Sequence, residues 1–152
     1  MTDMKILILY STIYGHNLEM GKFIYQHLFM PVDTAGIGEF DPKRLADYDL
    51  VIICPCTYSE GYLQPTDEAF INGLKNIQLP NLKFLIVGAG DRTFGPSCFA
   101  RAVDIFSYQL KQCGAQPMHA PIKYDFAELL KTEKKVASLL TKLQPVGSAN
   151  ID

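Results

Sequence analysis

At 152 residues with 48% hydrophobic side chains, the chain suits one domain and can fill one sizeable core. A net charge of −2 argues against the basic stripe of a nucleic-acid binder, and no apolar run reaches the roughly 18 residues of a membrane span. Met1-Thr2-Asp3 leads straight into the apolar run Lys5–Tyr10 without a cationic segment or cleavage site, so a cytoplasmic protein is expected.

The first apolar run, Lys5–Tyr10, is too short for a helix and reads as a buried strand. Asn17–Phe29 places Leu18, Phe23, Ile24 and Leu28 at helical spacing, giving a first helix. Pro31–Phe40 is ambiguous and holds a short second strand, after which Asp41-Pro42 caps a brief helix. Leu50–Cys54 and Phe84–Val87 are almost wholly apolar, as strands covered on both faces must be. Between them Pro65–Leu74 opens with Pro-Thr-Asp-Glu, a helix start with acids at its positive end. Cys98–Cys113 reads as a helix stopped by Gly114, Gln116–Tyr124 as a weaker fifth strand, and Asp125–Leu143 as a closing helix capped by Asp125. The alternation implies an α/β fold, a doubly wound parallel sheet with helices on both faces. A single domain over residues 1–144 is expected, with a polar tail at 145–152.

Cysteines 54, 56, 98 and 113 have no paired C-x-x-C spacing, so buried reduced thiols are expected and no metal site. His16, His27 and His119 are scattered, and no constellation of nucleophile, acid and base stands out. Function should then reside in the loops after strands one, three and four, at the carboxyl ends of the sheet.

The first of these, Ser11-Thr12-Ile13-Tyr14-Gly15-His16-Asn17, offers small hydroxyls and free amides at a helix N-terminus. Such a loop can hold a phosphate without lysine, and it is not a GxxxxGK nucleotide loop. It resembles the flavodoxin phosphate loop, Thr/Ser-x-Thr/Tyr-Gly-x-Thr/Asn, with Thr12, Tyr14, Gly15 and Asn17 in the patterned places. The second loop, Pro55-Cys56-Thr57-Tyr58-Ser59-Glu60-Gly61 and on to Pro65-Thr66-Asp67, is similar to the Ser-Thr-Tyr-Gly-x-Gly…Pro-Thr-Asp stretch of flavodoxins and diflavin reductases. The third, Gly88-Ala89-Gly90-Asp91-Arg92-Thr93-Phe94 to Cys98, resembles the family's Gly-x-Gly-Asp-x-Ser/Thr-Tyr/Phe-x-x-x-Cys.

That resemblance implies a flavodoxin-like five-stranded sheet in the order 2-1-3-4-5, and flavodoxins are among the proteins from which the rule on strand ends is drawn. It further implies FMN held without a covalent bond, one-electron transfer at low potential, and two redox partners, a reductase and an acceptor. A monomer without a nucleic-acid or membrane role follows. Tyr58 and Phe94 would cover the two faces of the ring, Asp91 and neighbouring amides would meet its pyrimidine edge, and Gly90, Arg92 and Cys98 would also be cofactor-binding. Arg92 and His16 would oppose the negative charge that Asp91 and Glu60 bring to the flavin, or Arg92 would instead point to solvent as part of a docking face. Ser59 departs from the family glycine at the peptide that turns toward the reduced ring, and Gly61 could take over that freedom. Ser97 stands where the family has Phe. The fifth strand runs on to Lys123-Tyr124-Asp125 without an extra loop, which resembles the short-chain branch.

Three other classes compete. A phosphoacceptor receiver needs acids after strand one and an Asp ending strand three, where this chain has Tyr10-Ser11 and Cys54-Pro55. A small FMN-dependent quinone or azo reductase, or a specialised activator of an enzyme such as ribonucleotide reductase, would share the loops.

Overall fold

The run Ile6-Leu7-Ile8-Leu9 is buried on both faces, and the whole sheet is organised around it. In the computed structural model, which describes residues 4–11, 15–28, 30–57 and 61–142, it forms β1 (Ile6–Tyr10). β1 pairs in parallel with β2 (Val32–Gly36) on one side and β3 (Leu50–Cys54) on the other, and β3 pairs with β4 (Lys83–Gly90). The order is 2-1-3-4-5, as the resemblance implies.

The fifth position is divided. β5 (Gln116–Pro117) lies beside Lys83 and Phe84, and β6 (Ile122–Asp125) beside Val87–Gly90. The single strand expected over Gln116–Tyr124 is therefore interrupted. Pro117 and Pro121 have no N–H for a ladder, and only the Met118 N–H, 2.8 Å from the Phe84 carbonyl, bridges the gap.

Side chains alternate across the strands and feed two cores. Ile6, Ile8, Ile52 and Leu85 pack with Met20 and Ile24 of α1 (Gly15–His27) and with Val136 and Leu140 of α4 (Leu129–Thr141). Leu7, Leu9, Val51, Ile53 and Phe84 pack on the other face with Phe70 and Leu74 of α2 (Pro65–Leu74) and Val103 and Phe106 of α3 (Arg101–Gln112). The expected caps are present. Asp41 accepts from the Lys43 N–H at 3.0 Å, and Asp125 forms a reciprocal capping box with Glu128. Gly114 closes α3 with φ +86°.

Of the boundaries that differ from expectation, three bear on the site. α1 starts at Gly15, two residues before Asn17. α3 starts at Arg101, three residues after Cys98, because Ala100 adopts a left-handed conformation (φ 47°, ψ 38°) that breaks the helical run. β4 extends through Gly88-Ala89-Gly90, so the third loop begins at Asp91. The glycines there mark close approach and not a turn. A Cβ on Gly88 would lie 2.2 Å from Val103 Cγ2, and one on Gly90 would lie 2.5 Å from the Ala100 nitrogen.

Candidate functional site

Parallel register brings the carboxyl ends of β1, β3 and β4 together, with Tyr10 opposite Cys54. The Ser11 N–H donates to the Cys54 carbonyl at 3.0 Å, Cys56 bridges Ala89, and the Thr57 N–H reaches the Ala89 carbonyl at 3.5 Å. The three loops singled out in the sequence thus leave the sheet from one edge.

In the first loop, Ser11 is buried, and its Oγ has no hydrogen-bond partner among the described residues. Thr12, Ile13 and Tyr14 lie outside the described residues, and Gly15, His16 and Asn17 are described through their backbone alone, as the first turn of α1. The first N–H groups of a helix have no partner within it. That turn carries no acid, whereas α2 has Asp67 and Glu68 in its first turn and α3 has Asp104. An orphaned hydroxyl beside an uncompensated positive helix end is a donor set that suits the phosphate of FMN.

Asp67 stands behind Ser11. It is fully buried in the first turn of α2. Desolvation pushes its carboxyl up to about 6, against the opposing pull of the Ser11 and Thr66 hydroxyls. The pull from Ser11 comes without a well-formed hydrogen bond, since neither Ser11 Oγ nor Asp67 Oδ2 closes one.

In the second loop Tyr58, Ser59 and Glu60 lie outside the described residues. The flanking residues serve the framework. Pro55 packs against the position a Gly88 Cβ would take, and Cys56 is buried with its thiol 3.7 Å from the Thr57 carbonyl. Thr57 is buried too, and its Oγ1 accepts the Ala102 N–H at 2.8 Å. Gly61 is buried with φ +101°, the left-handed freedom expected of this loop. Tyr62 follows, largely exposed.

The third loop is described throughout. Asp91 Oδ1 accepts the Thr93 N–H at 2.9 Å and the Thr93 hydroxyl at 2.6 Å, capping a 3-10 turn over Arg92–Phe94. Phe94 is 44% exposed, a high value for a phenylalanine beside a buried sheet end. Gly95 follows with φ +89°. Arg92 turns toward α4. Its N–H donates to Asp125 at 2.9 Å, its guanidinium pairs with Glu128 at 2.8 Å, and the same group lies 4.3 Å from the Phe99 ring centre. Backbone donation from Ala127 first, then from Arg92, holds the Asp125 carboxyl below its usual range. Cys98 is half-buried against Gly61.

Burial pushes Cys54 up to about 12 and also raises Cys113, so both stay protonated. Burial likewise raises Tyr124, whose hydroxyl has no partner among the described residues. Among the described residues no three potential ligands cluster as a metal site, and no helix is long and apolar enough to cross a membrane. A cleft of about 340 Å³ between α1 and β2, lined by Tyr10, Lys22, Tyr25 and Asp33 among others, includes none of the candidate residues.

The sequence matches the flavodoxin family over residues 8–138. The chain belongs to the flavodoxin family. It is 30% identical over 137 residues to Probable flavodoxin 1 of Bacillus subtilis, covering 88% of this chain and 84% of that protein. The crystal structure of oxidised flavodoxin 2 from Bacillus cereus superposes with a TM-score of 0.83 at 26% identity, covering 91% of this chain and 98% of that one. A shorter match, 34% over 92 residues, joins 57% of this chain to 14% of the sulfite reductase flavoprotein alpha-component of Photobacterium profundum, so the expected likeness to diflavin reductases is present. Flavodoxins are electron-transfer flavoproteins that bind FMN and pass electrons to partner proteins, and this chain is such a carrier rather than an enzyme.

Asp67 and Arg101 were not among the residues singled out for the site. The acid in Pro-Thr-Asp-Glu is legible as a helix-start signal, but its complete burial and its nearness to Ser11, 56 residues earlier, have no local mark. Arg101 lay inside an expected helix and stands out only once that helix is seen to begin at it.

Proposed function

We propose that residues 1–144 form one domain that holds FMN across the three loops and shuttles electrons between a reductase and an acceptor in the cytoplasm, as a monomer. The reading rests on the convergence of an orphaned Ser11 hydroxyl, an acid-free α1 N-terminus and an outward Phe94 at one edge of the sheet. Residues Ser11, Thr12, Ile13, Tyr14, Gly15, His16 and Asn17 surround the phosphate through hydroxyls and amides. Tyr58 and Phe94 cover the ring. Pro55, Cys56, Thr57, Ser59, Glu60, Gly61, Gly90, Asp91, Arg92 and Cys98 form the wall through their backbone and packing. FMN, when bound, supplies the one-electron chemistry, and the chain binds, orients and shields it.

Denaturing the purified protein and chromatographing the released cofactor tests the binding site. FMN is expected, and FAD would refute the monophosphate-sized loop. Phe94→Ala and Tyr58→Ala should each weaken FMN by about 1–3 kcal/mol through lost stacking and burial. If both variants titrate with FMN as tightly as the parent, the ring does not lie between them.

A further inference from the structure

The second loop is fastened at both ends to one short stretch of chain. At its start Thr57 Oγ1 accepts the Ala102 N–H at 2.8 Å, and at its far end the Gly61 carbonyl accepts from Arg101 Nη1 at 3.2 Å. Arg101 also packs its stem on the glycine: a Cβ at Gly61 would lie 3.2 Å from Arg101 Cδ and 3.6 Å from Cys98. The left-handed turn at Ala100, wedged against Gly90, aims Arg101 this way. So the loop has a neutral, buried anchor at one end and a cationic anchor at the other.

We propose that Arg101 is a positioning residue for the cofactor: by gripping the Gly61 carbonyl it sets the loop against the flavin, and its charge favours the flavin's second one-electron reduction. The proposal rests on the reading that the second loop covers the ring. Gly61 has the positive φ that lets a peptide reorient, and a donor on its carbonyl restrains that reorientation. Each reduction takes one electron from the titrant, and a fixed cation nearby stabilises the added negative charge.

The test compares Arg101→Gln and Arg101→Lys with the parent, each checked for folding by circular dichroism. FMN affinity is read by fluorescence titration of the apoprotein, and both reduction potentials by dithionite titration of the loaded protein. Arg101→Gln should bind FMN about tenfold more weakly, the loss expected for a charge-assisted hydrogen bond. Its second potential should fall, by less at high salt. Arg101→Lys should keep the second potential close to the parent's, because the charge remains. An Arg101→Gln protein with both potentials unmoved overturns the proposal, even if affinity drops, because a purely structural tie would do the same. Tyr58→Ala, run in parallel, separates the two readings. If it keeps parental FMN affinity, the loop is not on the flavin and the underlying site assignment fails. If it weakens FMN while Arg101→Gln is silent, the Arg101 proposal alone fails.

Discussion

The loops after β3 and β4 leave neighbouring strands yet are held in opposite ways. The loop after β4 braces itself and its nearest helix: Asp91 caps Thr93, Arg92 reaches Asp125 and Glu128, and the guanidinium rests on Phe99. The described ends of the loop after β3 rely on α3, through Ala102 at Thr57 and Arg101 at Gly61. A loop capped from within, with its further ties to Asp125 and Glu128, should hold its shape when α3 is altered. A loop with borrowed anchors should respond to changes in α3.

The sharpest way to break the comparison is at the junction both loops share. Gly90 lets α3 approach β4, since a Cβ there would lie 2.5, 2.9 and 3.2 Å from the nitrogen, Cα and Cβ of Ala100. Two of these three contacts are backbone atoms, which cannot swing aside. Gly90→Ala should therefore destabilise the protein by about 3 kcal/mol, at the upper end of overpacking costs. Because α3 carries the anchors of the loop after β3, FMN affinity should drop with it. Urea unfolding and FMN titration check both effects, and a variant within about 1 kcal/mol of the parent would mean that α3 can slide without cost.

A second test sits where the loop after β3 enters α2. The Asp67 carboxyl is raised from an ordinary 3.8 to about 6, chiefly by desolvation. A raised carboxyl binds its proton more tightly folded than unfolded. Its contribution to stability is therefore full below pH 3.8, is lost as pH rises to about 6, and stays lost above. Asp67→Asn keeps the shape and removes the charge. It should be more stable than the parent by roughly 2 kcal/mol at pH 7.5, with the gain vanishing at pH 4. Urea unfolding of the apoprotein at the two pH values measures this. No gain at pH 7.5 would show that the carboxylate finds a partner in the loop that Ser11 opens.

Much of this architecture was readable in the sequence, for physical reasons that can be named. The central strands were legible because burial on both faces demands unbroken apolar runs, as in Leu50–Cys54 and Ile6–Leu9. α2 begins and ends as expected because Pro65 suits the first helical position and acids suit its positive end. Gly88 and Gly90 misled, since a glycine chosen for close packing and one chosen for a turn look alike in sequence. The divided fifth strand and the left-handed Ala100 depend on partners distant in the chain. In the site, the loops were legible as patterns, whereas the commitment of Asp91 to Thr93 and of Arg92 to Glu128 required geometry.

Arg92 gives the smallest expected effect and the finest test of the contrast. From sequence it either opposes the negative charge near the flavin, so that removing it depresses the second reduction potential, or points to solvent as part of a docking face. In the fold its guanidinium is paired at 2.8 Å with Glu128, with side-chain exposures of 53% and 33%. A cation beside its own anion presents a dipole to distant groups, and solvent and salt screen it further. An exposed pair of this kind adds at most about 1 kcal/mol to stability. Arg92→Gln should therefore cost less than that in urea unfolding, and its second potential should shift less than that of Arg101→Gln at the same low salt. Removing the cation leaves the Glu128 charge with only the Asp125 N–H for a partner, so whatever shift appears should shrink when Glu128→Gln is combined with it. If Arg92→Gln instead moves the potential as far as Arg101→Gln does, the self-braced loop tunes the flavin as strongly as the borrowed one, and the division of labour between the two loops is wrong.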